Sequence, residues 1–336
     1  VGEVGPGNRR ESQTDPSHRR PMFNLGELAM KKSLIALAVL GFAGAAMAQS
    51  SVTLYGVADA GVGKIKFAGN DGSNKTEFIS GSMMNNGNSR LGVRGVEDLG
   101  GGLKAGFNFE TGLDLDNGDA LGSGGCFCGG DGDLWVGGNW GTSKMGRTLT
   151  PSFYGVAVWE LTGTANYSVI GNTYAFAGSG SRNNSQFSYK TPNFGGFNAE
   201  LGYVLKADNG GNAKWDMNLI YANGPIGAGV SANKAKGQKV GYALGGKYNF
   251  GNFAVAASYN DAHKVRRGFG IGGTATFGAA SLTPDLTRDT KNNPGTKYPN
   301  GVVEAKYALS KRTFVYGAYL RLDGENNYGI GVRHNF

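Results

Sequence analysis

Only three histidines and two cysteines occur in the 336 residues, with nine prolines and 17% charged side chains. So few cysteines exclude a disulfide-built scaffold, and so few histidines leave little room for imidazole metal centres or base catalysis. No apolar run approaches the ~20 residues that a membrane helix needs. Low charge does not signal disorder here, because 11% of the chain is aromatic. What the chain has in excess is glycine, 60 residues or about 18% against the usual ~7%. The glycines show no G-X-Y period, which excludes collagen, and with the aromatics they point to many short strands. The formal charge is +8.

The amino-terminal region reads as an export signal. Met30-Lys31-Lys32 supplies a basic start, Leu34–Phe42 a short apolar stretch, and Ala46-Met47-Ala48 a small-residue cleavage site before Gln49. Residues 30–48 are therefore expected to be a signal peptide and 1–29 an upstream segment from a misplaced translation start. Residues 49–336 are left as the exported domain.

Period-two alternation dominates that domain. Phe197, Ala199, Leu201 and Tyr203 alternate with mostly polar or small residues. The same holds for Met217/Leu219/Tyr221, Tyr242/Leu244, Phe253/Val255, Phe314/Tyr316/Ala318/Leu320 and Tyr328/Ile330/Val332, with Arg333 and Asn335 opposite the last set. Segments of about ten residues match tilted strands crossing a bilayer. Short connections at 98–102, 192–196, 223–225, 250–252 and 310–312 contrast with long polar ones at 64–87, 114–132, 150–183 and 287–299. Short turns at one end and long loops at the other mark a transmembrane barrel. Counting hairpins from Val52 gives about sixteen strands, with the pair around 269–286 weakly marked. The expected fold is thus all-β, a sixteen-stranded antiparallel transmembrane β-barrel. Closure would pair every backbone group in lipid and turn an apolar face outward and a polar face to the lumen.

Several segments resemble general porins of Gram-negative β-proteobacteria. They are Ser51–Val62 (SVTLYGVADAGV), Ser89–Ala105, Trp135-Val136-Gly137, Gly146-Arg147, Arg182–Ser185, Tyr307–Thr313 and Gly331–Phe336 (GVRHNF). The resemblance runs in family order over nearly the whole exported domain. It implies an outer-membrane homotrimer, a third loop folded into the pore, and passive diffusion of small hydrophilic solutes. Two departures stand out. Gly132-Asp133-Leu134 occupies a stretch where the family usually carries an arginine, and the third loop holds only Glu160 where several acids are usual.

Pore selectivity comes from width and from the charges at the narrowest point. With Leu91, Val93 and Val96 placed toward lipid, Arg90 and Arg94 fall toward the lumen. Arg147, Arg182 and Lys190 lie on strands bracketing the third loop, and the resemblance places Arg90 and Arg182 at basic constriction positions. These five are expected to form a positive stripe favouring anions, opposed by Glu160 with Glu110 or Asp59. Phe336, an aromatic terminus on an alternating strand, resembles the signal that barrel-assembly machinery reads. Two other readings remain: a solute-specific channel, with Phe153, Tyr154, Trp159, Tyr167, Tyr174 and Phe176 as a slide for sugars, and a surface adhesin or structural barrel. External basic residues such as Lys234, Arg267 and Arg288 would meet lipopolysaccharide phosphates rather than nucleic acid.

No cofactor, metal or catalytic residue is expected. Cys126-Phe127-Cys128 lacks the second pair that zinc needs, and Gly129–Asp133 lacks EF-hand spacing. Gly268–Gly273 opens no helix, and no G-x-S-x-G or H-E-x-x-H occurs.

Overall fold

The computed structural model describes residues 50–66, 75–119, 129–293 and 295–336. The expected signal peptide and the Cys126/Cys128 pair lie outside the described residues.

Strands β1 (Ser51–Lys64), β2 (Glu77–Ser80), β3 (Arg90–Gly100), β4 (Leu103–Gly112), β5 (Gly132–Gly138) and β6 (Gly141–Leu149) come first. Helices α1 (Pro151–Ala157) and α2 (Val169–Tyr174) follow within the third long loop. Then come β7 (Arg182–Lys190), β8 (Phe197–Val204), β9 (Lys214–Asn223), β10 (Ile226–Ala235), β11 (Gly241–Asn249) and β12 (Phe253–Ala262). The last are β13 (Arg266–Phe277), β14 (Ala280–Asn292), β15 (Pro299–Ala308), β16 (Thr313–Leu322) and β17 (Glu325–Asn335). All pairings are antiparallel between neighbours, and β1 pairs with β17 to close the cylinder. Seventeen segments make sixteen staves, because β2 and β3 lie end to end against β1. Ala60–Gly63 of β1 pairs with β2, and Ser51–Val57 pairs with β3. The weakly marked pair around 269–286 is two long strands, β13 and β14, and the connection expected at 287–299 shrinks to 293–298.

The wall is inside out relative to a water-soluble protein. Leu219, Val230 and Leu244 form one cross-strand row and are 50%, 47% and 55% exposed. The row beside it, Asn218, Ser231 and Asn260, is buried. A continuous apolar band outside a closed barrel is stable only in hydrocarbon. No helix among the described residues is long and apolar enough to cross a membrane, which is irrelevant to a wall of strands.

Two strands break the simple alternation. Phe314, Tyr316, Ala318 and Leu320 of β16 face inward, and the outer face carries Val315, Gly317 and Tyr319. The lumen there is filled by protein, so apolar side chains gain burial without lipid: Met84, Tyr167, Ile170, Tyr316 and Leu320 share one core. On β3, Val96 pairs with Ser51 and shares the face of Arg94, so it points inward rather than to lipid. The expected outward Val96 is corrected by this register.

The filling comes from two segments. Residues 81–89 leave the wall between β2 and β3 and turn inward, which the sequence reading did not foresee. The third loop, 150–181, folds in beside them, as expected. Thr150 caps α1 by accepting from the Phe153 amide at 3.0 Å, with Pro151 at the first turn. Ser168 caps α2 in the same way through Gly171. A Cβ on Gly245 would lie 2.3 Å from the Trp159 ring, and one on Gly229 would lie 2.2 Å from the Gly155 carbonyl. Only glycine in the wall lets the loop lie this close.

Candidate pore constriction

The inward segments narrow the barrel to a cavity of about 880 Å³ lined by Ser82, Asn86, Asn88, Arg90, Glu110, Asp131, Phe153, Asn166, Phe176, Arg182 and Arg333 among others. Three arginines from three separate strands converge there. Arg90 and Arg333 sit on lumen-facing positions of their ladders, where alternation repeats every second residue, and Arg182 opens β7 where the third loop rejoins the wall.

Their carboxylate partners lie beside them, not across the channel. Arg90 Nε donates to Glu110 Oε1 at 3.0 Å. Arg182 Nε donates to Asp131 Oδ1 at 2.7 Å, and its Nη2 stands 3.6 Å from Glu110 Oε2. Tyr55 adds a hydroxyl at 3.1 Å to Glu110. Arg333 differs: Nη1 donates to Asn86 Oδ1 at 2.9 Å and Nε to Asn335 Oδ1 at 3.2 Å. No carboxylate lies within salt-bridge distance of it among the described residues. The cavity wall therefore carries three guanidinium groups against two carboxylates.

The other expected site residues fall in different places. Arg94 stacks over the Tyr55 ring at 5.1 Å, and Lys190 over the Tyr154 ring at 5.7 Å, both outside this cavity. Arg147 donates to the Gly129 and Gly130 carbonyls at 3.1 and 3.0 Å and to Asn184. It ties down the segment that carries Asp131 and does not line the cavity.

Glu160 does not oppose the arginines. It is buried, accepting from Thr162 Oγ1 at 2.5 Å and the Thr164 amide at 2.6 Å, so it staples its own loop. Glu110 sits on the arginine side and cannot oppose it either. Asp59 is wholly buried and accepts from Gly87 N at 2.8 Å, Tyr316 Oη at 2.6 Å and Asn85 Nδ2 at 3.2 Å. Its role is to hold the 81–89 segment. Period-two alternation alone put Asp59 in the lumen; it gave no sign that a second inward segment would cover it.

Arg333 is the residue that sequence reasoning passed over. Its side of β17 was legible as the polar one, but its distance along the chain from Arg90 hid the seam that brings them together.

The aromatic slide does not form. Trp159, Tyr167 and Tyr174 are buried against the wall, and only Phe153 and Phe176, with centroids 4.9 Å apart, reach the cavity. Burial pushes the Tyr167 hydroxyl far above its ordinary value, with the Glu304 carboxylate it donates to at 2.6 Å adding to the shift. Tyr174 is raised by burial too, and donates to the Phe269 and Arg288 carbonyls. Both hydroxyls stay protonated, fastening the loop to β13, β14 and β15. Among the described residues no cluster of His, Cys, Asp and Glu could hold a metal ion.

Phe336 completes the seam. Its amide and carbonyl exchange hydrogen bonds with Gly56 at 3.1 and 3.0 Å. Its ring lies where a Cβ on Gly56 would be, 2.4 Å away.

Comparison with known proteins agrees with this architecture. The family model of Gram-negative porins matches residues 33–327. Outer membrane porin protein 32 of Delftia acidovorans is 35% identical, over 90% of this chain and 93% of its own. An outer membrane porin protein of Bordetella pertussis is 34% identical, over 68% of this chain and 69% of its own. Among solved structures, an anion-selective porin from Comamonas acidovorans superposes with a TM-score of 0.71 at 28% identity, covering 86% of this chain and 100% of that one. OmpT of Vibrio cholerae, solved in a trimer form, shares the fold with a TM-score of 0.63 at 16% identity, over 85% of this chain and 99% of its own. With an apolar band outside, a charged lumen within and matches along most of its length, the chain belongs to the Gram-negative porins, and it is an outer-membrane barrel that encloses a water-filled channel.

Proposed function

We propose that the channel passes small hydrophilic solutes by diffusion and favours anions, working as a homotrimer. The observation that carries this reading is the arrangement of Arg90, Arg182 and Arg333 around one cavity with only Glu110 and Asp131, among the described residues, as counter-charges, both on the arginine side. An anion in the cavity meets a wall with a net positive charge, and a cation meets no facing carboxylate among the described residues. The inward loops lower the effective dielectric and so strengthen that difference. Glu160, the only acid of the third loop, is sequestered and adds nothing across the pore. The 28%-identical Comamonas porin is anion-selective, which points the same way. Trimer assembly follows the form in which the fold-related OmpT was solved. Export through residues 30–48, Phe336 as the assembly signal and contact of external basic residues on β10, β13 and β14 with lipopolysaccharide phosphates complete the reading.

Reversal potentials across a planar bilayer under a KCl gradient test it. A chloride-to-potassium permeability ratio above one is expected, and a ratio at or below one sinks it. The solute-specific alternative predicts saturable block by a sugar, which the burial of Trp159, Tyr167 and Tyr174 disfavours.

A further inference from the structure

A second cavity, of about 390 Å³, opens on the lumen face of β3 to β6 and is lined by Tyr55, Arg94, Asn108, Asp133, Trp135 and Lys144 among others. Arg94 lies four residues beyond Arg90 on the strand that runs to the short turn at Gly101-Gly102, and Lys144 lies just past the short turn at Asn139-Trp140. The cavity is therefore a vestibule on the short-turn side of the constriction.

Two of its charges, Asp133 and Arg94, lack a close polar partner among the described residues. Both oxygens of Asp133 are buried and have no hydrogen-bond partner among the described residues, and the side chain is 1% exposed. The nearest cation, Lys144 Nζ, stands 3.9 Å from Oδ2, too far to donate a hydrogen bond. Arg94 has the face of Tyr55 and no carboxylate within salt-bridge distance among the described residues. Glu110 also borders the cavity, but its two oxygens already serve Arg90, Arg182 and Tyr55. The Trp135 ring supplies an apolar wall, packed so closely on β4 that a Cβ on Gly106 would meet it at 2.5 Å. A buried carboxylate without donors is costly, and a ligand that supplies them recovers that cost.

We propose that this vestibule is a subsite for small zwitterions of the amino-acid type, with the solute ammonium donating to Asp133 and its carboxylate accepting from Arg94. The proposal rests on the diffusion-channel reading. A simple anion is drawn by Arg94 and Lys144 but leaves Asp133 unpaired. A simple cation satisfies Asp133 and is repelled by both bases. Only a solute with both groups pairs each side, and Lys144, released from its loose place over Asp133, joins Arg94 on the solute carboxylate. The stretch Gly132-Asp133-Leu134, where the resemblance leads one to expect an arginine, is what gives the vestibule its acid.

The experiment uses the full-length protein reconstituted in planar bilayers, with L-serine as probe and acetate and methylammonium as single-charge controls. Ion current in KCl before any probe is added reports on the channel reading alone; its absence overturns that reading and this one with it. With current present, saturable reduction by L-serine and little effect of either control is expected. Asp133→Asn and Arg94→Gln should each raise the half-saturating L-serine concentration at least tenfold. Heat-modifiable gel migration identifies which variant folds, and one folded variant suffices. Equal reduction by acetate, no saturation by L-serine, or an unchanged half-saturation in a folded variant overturns the subsite and leaves the channel standing.

Discussion

The Tyr316 hydroxyl donates to Asp59 Oδ1 at 2.6 Å, joining β16 to β1 across the lumen side of the closing seam. The same carboxylate accepts from Gly87 N and Asn85 Nδ2, so one acid holds the middle of the 81–89 segment. Asp59→Ala leaves these buried donors unmet, at about 1–3 kcal/mol each. The variant should unfold at lower temperature in a heat-modifiability assay and show higher single-channel conductance, because the segment no longer narrows the lumen. Unaltered conductance in the folded variant would mean that the segment stays in place without Asp59.

Arginine removal should lower anion preference in a defined order. Arg182→Ala leaves Asp131 without its arginine and takes one of two from Glu110, which keeps Arg90, whereas Arg333→Ala breaks no ion pair. One charge about 4 Å from an ion in water is worth about 1 kcal/mol, a several-fold change in permeability ratio. We expect the largest fall for Arg182→Ala and smaller ones for Arg90→Ala and Arg333→Ala. Reversal potentials at about 0.1 M salt, where screening extends only over ~10 Å, provide the measurement, and the effect should shrink at 1 M.

His263 gives the third loop a pH dependence. Its Nε2 lies 2.7 Å from Asn233 Oδ1, and Asn233 Nδ2 donates to the Ala177 carbonyl at 3.1 Å. Ala177 ends a run of three left-handed residues, Ala175, Phe176 and Ala177, at φ 45°, 52° and 60°. Such a run is strained and needs outside support. Burial pushes the His263 pKa below the ordinary 6.5, with Lys214 adding to the shift and Asp261 opposing it. The folded state therefore favours the neutral ring. Its contribution is complete above the unfolded value of about 6.5 and is lost as the pH falls through the lowered folded value. Closure events in single-channel traces should become more frequent on acidification below that value, and His263→Gln should flatten the profile.

Gly56 and Phe336 test the seam. Gly56→Ala places a methyl group against the terminal ring and 2.6 Å from the Arg90 carbonyl. Overpacking of this kind costs about 1–3 kcal/mol. Deleting Phe336 removes the ring and its two backbone bonds to Gly56. Both changes should reduce the yield of heat-stable oligomer; full yield from the deletion would deny Phe336 any part in assembly.

Alternation was enough to read the wall. In β8, β9 and β11 each apolar position foreseen as outward is outward, because one side meets lipid and the other meets polar groups. It failed at β16 for a reason that period two cannot encode. Both faces of that strand are apolar environments, one lipid and one loop, so Tyr316 and Leu320 could be assigned to either. The constriction was half legible. Arg90 could be placed from strand parity and resemblance and Arg182 from resemblance, whereas Glu160 and Asp59 carry charges whose burial depends on which loop turns inward. That information lies in contacts between distant segments, such as Asn166 Nδ2 donating to Ser82 O at 2.9 Å and Asn88 Oδ1 at 2.7 Å.

Where β2 stops and β3 has not begun, the Ser89 hydroxyl stands in for a missing strand: it accepts from the Asp59 amide and donates to the Asp59 carbonyl, each at 2.9 Å. One hydroxyl thus patches the breach in the ladder on that side. The bilayer-facing shell keeps its continuity across residues 81–89, so the segment that narrows the lumen leaves the wall without opening it to lipid.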